Sequence, residues 1–234
     1  DQSRDEPTLA EMTAKALELL SGDEDGFFLM VEGGMIDYGA HANDLATMIG
    51  ETLAFDDAIR VAREFVAAHA DTLLIVTADH ETGGLTLTGR PSWDVVRQQP
   101  MSVEKVLGGW EALGKVPYQR LRALQQMLGV ELSVAQRASL LRASGNLEEM
   151  GGALARMMSE RAGVSWSSHD HTAAWVPVVG MGPGSELMRA LQDNTDLCKL
   201  LRLALGLTVE RAAAPIVVVR LPAMSFEISR RPQA

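Results

Sequence analysis

The sequence predicts an α/β fold, a three-layer α/β/α sandwich around a mostly parallel central sheet. Two unbroken apolar runs, Phe27–Val31 and Thr72–Ala78, have the length and composition of strands buried on both faces of such a sheet. Helical patterns precede each run, so we expect parallel strands joined by a right-handed crossover. Each run ends in carboxylates and a histidine, at the sheet edge where open α/β folds bind ligands.

The helices before the two strands have recognisable starts. Thr8-Leu9-Ala10-Glu11 is a capping box that opens the first helix, which ends at Ser21-Gly22. Asn43-Asp44 opens a second, longer helix, whose apolar residues recur at helical spacing until Asp71.

From Arg90 to Gly163 the pattern changes to helices alone. Capping signatures recur at Ser133-Val134-Ala135-Gln136 and at Asn146-Leu147-Glu148-Glu149. We interpret residues 90–163 as a helical insertion within the α/β domain.

The last part of the chain returns to mixed elements. Ala174–Gly180 predicts a further strand, and Asn194-Thr195-Asp196 caps a helix that runs to Gly206. Residues 208–234 form a tail, in which Ile216–Val219 predicts an edge strand.

Composition excludes several function classes. The 234 residues carry a formal net charge of −10, which argues against a nucleic-acid partner because such proteins present a basic face. No apolar run approaches the ~20 residues that span a bilayer, so we expect no membrane partner. Cys198 is the only cysteine, which excludes an intrachain disulfide. The negative field would also repel an anionic ester unless bound cations attracted it locally.

Residues that bind metals cluster after the two apolar runs. Asp37 and His41, four positions apart, could bind one divalent cation, although such a pair taken alone is more often a solvated helix start. Asp79-His80 is a stronger signal because both follow a buried strand, and the alternative is a helix cap beside a surface histidine. Glu32 also ends a strand, where a buried carboxylate needs a charge partner or a metal.

Two further histidines precede the strand at Ala174. His169 and His171 are two positions apart in an extended segment, so both or either could be a ligand. His69 lies in a helix without such a setting, and we expect it at the surface.

These motifs together resemble a known family. The segments VEGGMIDYGAHAND, IVTADHETGG and HDHTAAWVPVVGMGPG resemble the C-terminal half of bacterial alkaline phosphatases. The resemblance runs in order from Pro7 to Gly206, and the helical stretch occupies the place of the family's variable insertion. It implies that residues 1–234 are the C-terminal part of one alkaline-phosphatase-like α/β domain, which is incomplete in this chain.

The resemblance also implies the chemistry. The family uses two Zn²⁺ ions and one Mg²⁺ ion to hydrolyse phosphate monoesters through a phosphoserine. By resemblance, Asp37, His41 and His171 hold the first zinc, Asp79 and His80 the second, and Glu32 the magnesium. The family further implies a homodimer in the periplasm or outside the cell.

The departures from the family concern catalysis. Its nucleophilic serine, its phosphate-clamping arginine and two further metal ligands come from the N-terminal half, and no segment here resembles them. Ser167 and Ser168 lie near a ligand in a different context. Ala173 replaces the usual glycine, and Tyr38 stands at a variable position. We therefore expect no catalytic residue in this chain, which would be inactive alone and would need the N-terminal half of the same protein.

Two other hypotheses about the function remain. A phosphodiesterase or sulfatase relative would share the Asp-His and His pattern, although Glu32 favours a monoesterase because it implies the third metal. A non-catalytic metal-binding module would keep the ligands without a nucleophile.

Overall fold

A computed structural model describes residues 6–110, 117–190, 193–207, 216–221 and 228–229. The helices are α1 (Leu9–Leu20), α2 (Met35–His41), α3 (Leu45–Ala68), α4 (Trp93–Gln98), α5 (Val103–Gly108), α6 (Pro117–Leu128), α7 (Val134–Ala143), α8 (Leu147–Ala162) and α9 (Asn194–Ala204), with a 3₁₀ helix at Ser185–Ala190. The strands are β1 (Phe28–Glu32), β2 (Leu73–Ala78), β3 (Glu81–Thr82), β4 (Thr86–Leu87), β5 (Val164–Ser165), β6 (His171–Thr172), β7 (Val178–Met181), β8 (Ile216–Leu221) and β9 (Ile228–Ser229). Two compact units result, a sheet unit (described residues 6–35, 51–81 and from 174 onward) and a helical unit (36–50 and 82–173).

The sheet unit contains a five-stranded sheet in the order β7-β2-β8-β1-β9. Strand β8 pairs in parallel with β1 and with β2, whereas β9 and β7 pair antiparallel at the two edges. Half of the strand pairings are thus antiparallel. The sheet in the described residues is therefore mixed, whereas the sequence predicted a mostly parallel one.

The position of β8 differs from the sequence prediction. The apolar run Ile216–Val219 was expected at an edge, but β8 lies between β2 and β1, which are therefore not direct neighbours. Interior strands of an α/β sheet have both faces covered by helices and are apolar at every position, and Ile216–Val219 has this composition. The edge strand of this tail is β9. The remaining tail residues 208–215, 222–227 and 230–234 lie outside the described residues.

Apolar residues pack helices onto the sheet within this unit. The core between β2, the 3₁₀ helix and α9 contains Leu73, Ile75, Met188 and Leu200. Near the carboxyl end of β1, a Cβ on Gly33 would come within 2.9 Å of the Phe55 ring, so only glycine allows this approach of α3.

The helical unit has a core of its own, and within residues 90–163 its described elements are the helices α4 to α8. That this stretch is an insertion stays a prediction. Side chains of α5, α6 and α8 meet in this core, and five of them are fully buried: Val106, Leu124, Leu128, Met150 and Leu154. The capping box at Ser133 and the cap at Asn146 are both formed. Residues 111–116 lie outside the described residues.

The helices in the described part of the chain are too short or too polar to cross a membrane.

A buried aspartate joins the start of α3 to the first helices of the helical unit. Asp44 is 3% exposed, and its Oδ2 accepts from the Val103 backbone at 2.7 Å and from the Thr47 hydroxyl at 2.8 Å. Its Oδ1 accepts from the Gln99 amide at 2.8 Å and from the Thr47 backbone at 3.3 Å. Asp44 is therefore both the N-cap of α3 and a link to the segment before α5.

We predict that Asp44→Ala destabilises the chain by about 2–4 kcal/mol, because it leaves several buried donors without an acceptor. Denaturant unfolding followed by circular dichroism would measure the change. The control is Asp57→Ala, which removes an exposed carboxylate that pairs only at the surface with Arg60 and should leave the midpoint unchanged. Equal effects of the two variants would contradict the role given to Asp44.

Candidate metal centre

Asp37 and His41 lie one turn apart on the short helix α2. This helix has seven residues, which is about two helical turns. Residues four apart on a helix share a face, so the His41 Nε2 lies 3.3 Å from the Asp37 Oδ2. Asp37 is almost completely buried, at 9% exposure.

His171 reaches this pair from β6. Its Nε2 lies 3.2 Å from the His41 Nε2 and 3.7 Å from the Asp37 Oδ1. One possible ligand atom from each of the three residues lies within 4.8 Å of the other two. The fold thus brings together residues that are 130 positions apart.

The spacing of these atoms suits a tetrahedral ion. Zinc bonds of ~2.0–2.1 Å place neighbouring ligand atoms of a tetrahedral site ~3.3–3.4 Å apart. The Nε2 atoms of His41 and His171 lie 3.2 Å apart, and Asp37 approaches His41 with Oδ2 at 3.3 Å and His171 with Oδ1 at 3.7 Å. Two imidazoles and one carboxylate are also a donor set of catalytic zinc sites, which keep a fourth position open. The side chains of His41 and His171 are 37% and 49% exposed, so a ligand could approach from solvent.

Two contacts behind the cluster orient its ligands. The Thr82 hydroxyl donates to the Asp37 Oδ1 at 2.5 Å. The His41 Nδ1 donates to the backbone carbonyl of His169. A proton on Nδ1 leaves the lone pair of the neutral imidazole on Nε2, which is the atom that faces the cluster. Neither contact could be predicted from the sequence, since no spacing pattern links residues so far apart.

His169 is placed differently from His171. Its Nδ1 lies 2.9 Å from the backbone carbonyl of His41, to which it donates. The two residues were expected to point the same way in an extended segment, but only His171 lies in a strand. The structure thus brings His171, and not His169, into the cluster.

The loop that carries these histidines is anchored on Gly83. The Gly83 N–H donates to the Asp170 carbonyl at 3.0 Å, and its carbonyl accepts from Ser167 and Ser168 at 3.0 and 3.1 Å. Gly83 has φ +86°, and a Cβ there would lie 2.5 Å from the Trp166 ring. Only glycine fits this position without strain.

Asn43 also contacts this loop. It adopts a left-handed conformation, φ 53°, directly after α2. In the amide orientation that satisfies both of its polar atoms, it donates to the carbonyls of Ala40 and Ser168 at 2.9 and 3.0 Å. The end of α2 and the histidine loop therefore share a hydrogen-bond network.

The other three predicted ligands belong to the sheet unit. Glu32 at the end of β1 and Thr77 in β2 both pair with Arg220 of β8, so β1 and β2 end at the same edge of the sheet. Just beyond this edge, the Asp79 Oδ2 lies 3.3 Å from the His80 Nε2, and both side chains are about one-fifth exposed. Their metal-binding roles, and a cleft shared with Asp37, stay predictions.

His69 lies at the surface, as the sequence predicted. It is exposed at the end of α3, where its Nδ1 donates to the Phe65 carbonyl at 2.8 Å and its ring stacks on Phe65 at 3.9 Å.

Comparison with known proteins gives one consistent family. A model of the alkaline phosphatase family matches residues 1–207. Alkaline phosphatase 4 of Bacillus subtilis is 32% identical over 86% of this chain and 44% of its own length, and the Escherichia coli alkaline phosphatase is 32% identical over 86% and 32%. The crystal structure of a cold-active alkaline phosphatase from Shewanella superimposes with a TM-score of 0.76 at 32% identity, covering 86% of this chain and 50% of that one. The chain thus spans less than half the length of these two curated relatives.

We predict that Thr82→Val weakens zinc binding by about 10-fold, because Asp37 loses the hydroxyl that orients it. Competition with a chromophoric zinc chelator would measure the dissociation constant. Thr86→Val is the matched control, since the exposed Thr86 hydroxyl donates to the Gly84 carbonyl at 3.4 Å and has no described contact with Asp37. Equal affinity of Thr82→Val and the parent chain would show that this hydrogen bond does not support the cluster.

Proposed function

Because the chain belongs to the alkaline phosphatase family, we propose that it supplies most of the metal ligands of a phosphate monoester hydrolase. The observation that carries this proposal is the meeting of Asp37, His41 and His171, whose possible ligand atoms lie within 4.8 Å of one another. A surface histidine has no reason to meet residues 130 positions away, and two imidazole nitrogens at 3.2 Å are readily explained by a shared ion.

The proposed ligand sets follow the family pattern. Asp37, His41 and His171 would hold one zinc ion, Asp79 and His80 a second, and Glu32 a magnesium ion. When bound, such ions would offset the negative charge of a phosphate ester and activate the attacking oxygen. The 3.3 Å separation of the Asp79 and His80 ligand atoms supports their pairing on one ion.

The charge of the first ligand set suits an anionic substrate. One carboxylate and two neutral imidazoles carry a charge of −1, so a divalent ion there would leave the centre net positive. This local charge would attract a phosphate ester that the net charge of −10 otherwise repels. Asp37 is the buried anchor of the set, and the more exposed His41 and His171 form its open side.

We propose that the nucleophile is a serine from another segment, the N-terminal half of the same protein, and that the reaction passes through a phosphoserine. The absence of any family-like nucleophile motif in this sequence supports this proposal. The complete domain would be a three-layer sandwich with a mostly parallel sheet. By analogy with the family, it would act as a homodimer in the periplasm or outside the cell.

A non-catalytic metal-binding module is the second candidate. The observation that favours it is a three-residue centre formed without any described serine in a nucleophile-like context. A phosphodiesterase or sulfatase activity has less support, since Glu32 at the end of β1 suits a third metal.

We predict that the chain binds zinc and that His171→Ala lowers the affinity by more than about 100-fold, because it removes one of three protein ligands. Isothermal titration of the metal-stripped chain would measure both. His69→Ala is the control, and it should bind like the parent chain because His69 lies at the surface of α3. Equal zinc affinities of His171→Ala and His69→Ala would contradict the proposed zinc site.

We also predict that this 234-residue chain, loaded with zinc and magnesium, hydrolyses p-nitrophenyl phosphate no faster than background. A site without a positioned nucleophile lacks most of the rate acceleration. The metal-loaded Asp37→Ala variant, purified in parallel, reports contaminating phosphatase. Turnover that exceeds this control would place a nucleophile within the chain.

A further inference from the structure

We propose that His169 is a positioning residue for the metal ligand His41, and that it acts through hydrogen bonds to the backbone without binding the ion. This inference rests on the proposed zinc centre. It assigns a role to a histidine that the sequence left as a possible ligand.

The geometry is a reciprocal pair of hydrogen bonds, which we name the histidine clasp. The ring of His41 donates from Nδ1 to the carbonyl of His169, and the ring of His169 donates from Nδ1 to the carbonyl of His41 at 2.9 Å. Each imidazole therefore binds the other residue's backbone across 128 positions of sequence. The clasp fixes the end of α2 against the loop that leads into β6.

The clasp influences two of the proposed metal ligands, His41 and His171. It keeps the carbonyl of His169 in place, and this carbonyl sets the His41 tautomer that presents a lone pair on Nε2. The same loop carries His171 two residues later. Loss of the His169 ring would therefore loosen both the tautomer of His41 and the approach of His171, although the Gly83 contacts would still hold the loop.

The partners of His169 argue against a direct ligand role. Its Nδ1 donates to the His41 carbonyl at 2.9 Å, so this nitrogen has a partner outside the cluster. The residues whose possible ligand atoms meet are Asp37, His41 and His171, and His169 is not among them. His169 also lines a cavity of about 360 Å³ with Asn43 and Trp166, so a changed side chain has room.

Three substitutions separate the possible roles. The amide of asparagine places a donor near the position of the histidine Nδ1, whereas the amide of glutamine reaches the position of Nε2. His169→Asn should therefore keep the clasp, His169→Gln should lose it while keeping a polar group at the far end, and His169→Ala should lose both. All are compared as the full chain.

The measurements are the zinc dissociation constant, by chelator competition, and the visible spectrum of the cobalt-loaded chain, which reports the ligand set. His169→Ala and His169→Gln should weaken zinc binding by about 10- to 100-fold, the usual cost of losing a contact that orients a ligand. His169→Asn should stay within about threefold of the parent chain. At saturating cobalt all three should keep the parent spectrum, because no ligand has changed.

Other results would overturn the inference. Parent-like affinity of His169→Ala would show that the clasp is dispensable, and an altered cobalt spectrum would make His169 a ligand. If circular dichroism shows that His169→Ala does not fold, the asparagine and glutamine pair decides, and equal affinities of these two would refute the clasp. Failure of the parent chain to bind zinc would refute the proposed centre itself, and the inference with it.

Discussion

The most demanding feature of this molecule is the approach of two imidazole nitrogens to 3.2 Å, with a carboxylate oxygen 3.3 Å from one of them. The two nitrogens are within hydrogen-bonding distance of each other, but one such bond at a partly exposed site does not by itself fix both rings. These atoms stay together because groups behind them are already bound: a threonine hydroxyl holds Asp37, and a backbone carbonyl holds the ring of His41. The short helix, the glycine turn and the histidine loop around them all serve this placement.

The helical unit supplies the rigidity that this placement needs. Ser159 on α8 is buried, and it accepts from the Trp166 indole at 2.9 Å and donates to the Asn43 carbonyl at 3.4 Å. One helix side chain thus contacts residues next to both halves of the histidine clasp. Since α8 is held by a core of leucines and methionines, the stability of that core is transmitted to the cluster. The helical stretch is part of the scaffold of the candidate centre.

Local sequence signals predicted much of the architecture. The caps at Thr8, Ser133 and Asn146 and the apolar runs of β1 and β2 are properties of neighbouring residues, and they appear where the sequence placed them. Strand neighbours are not local. The insertion of β8 between β1 and β2 depends on residues more than 130 positions away, which no periodicity reveals. The mixed direction of the sheet was missed for the same reason.

The candidate site, too, could be predicted from the sequence only in part. Its residue types and their order were evident from the sequence, because carboxylates and histidines after buried strands are chemically specific and follow a family pattern. The choice between His169 and His171, the helical turn under Asp37 and the role of Thr82 were decided only by tertiary structure. Those outcomes depend on distances of a few ångströms between segments far apart in sequence. The sequence identifies the candidate ligand residues. The packing of the loop with His169 and His171 on Gly83 and α2 determines which nitrogen faces the cluster.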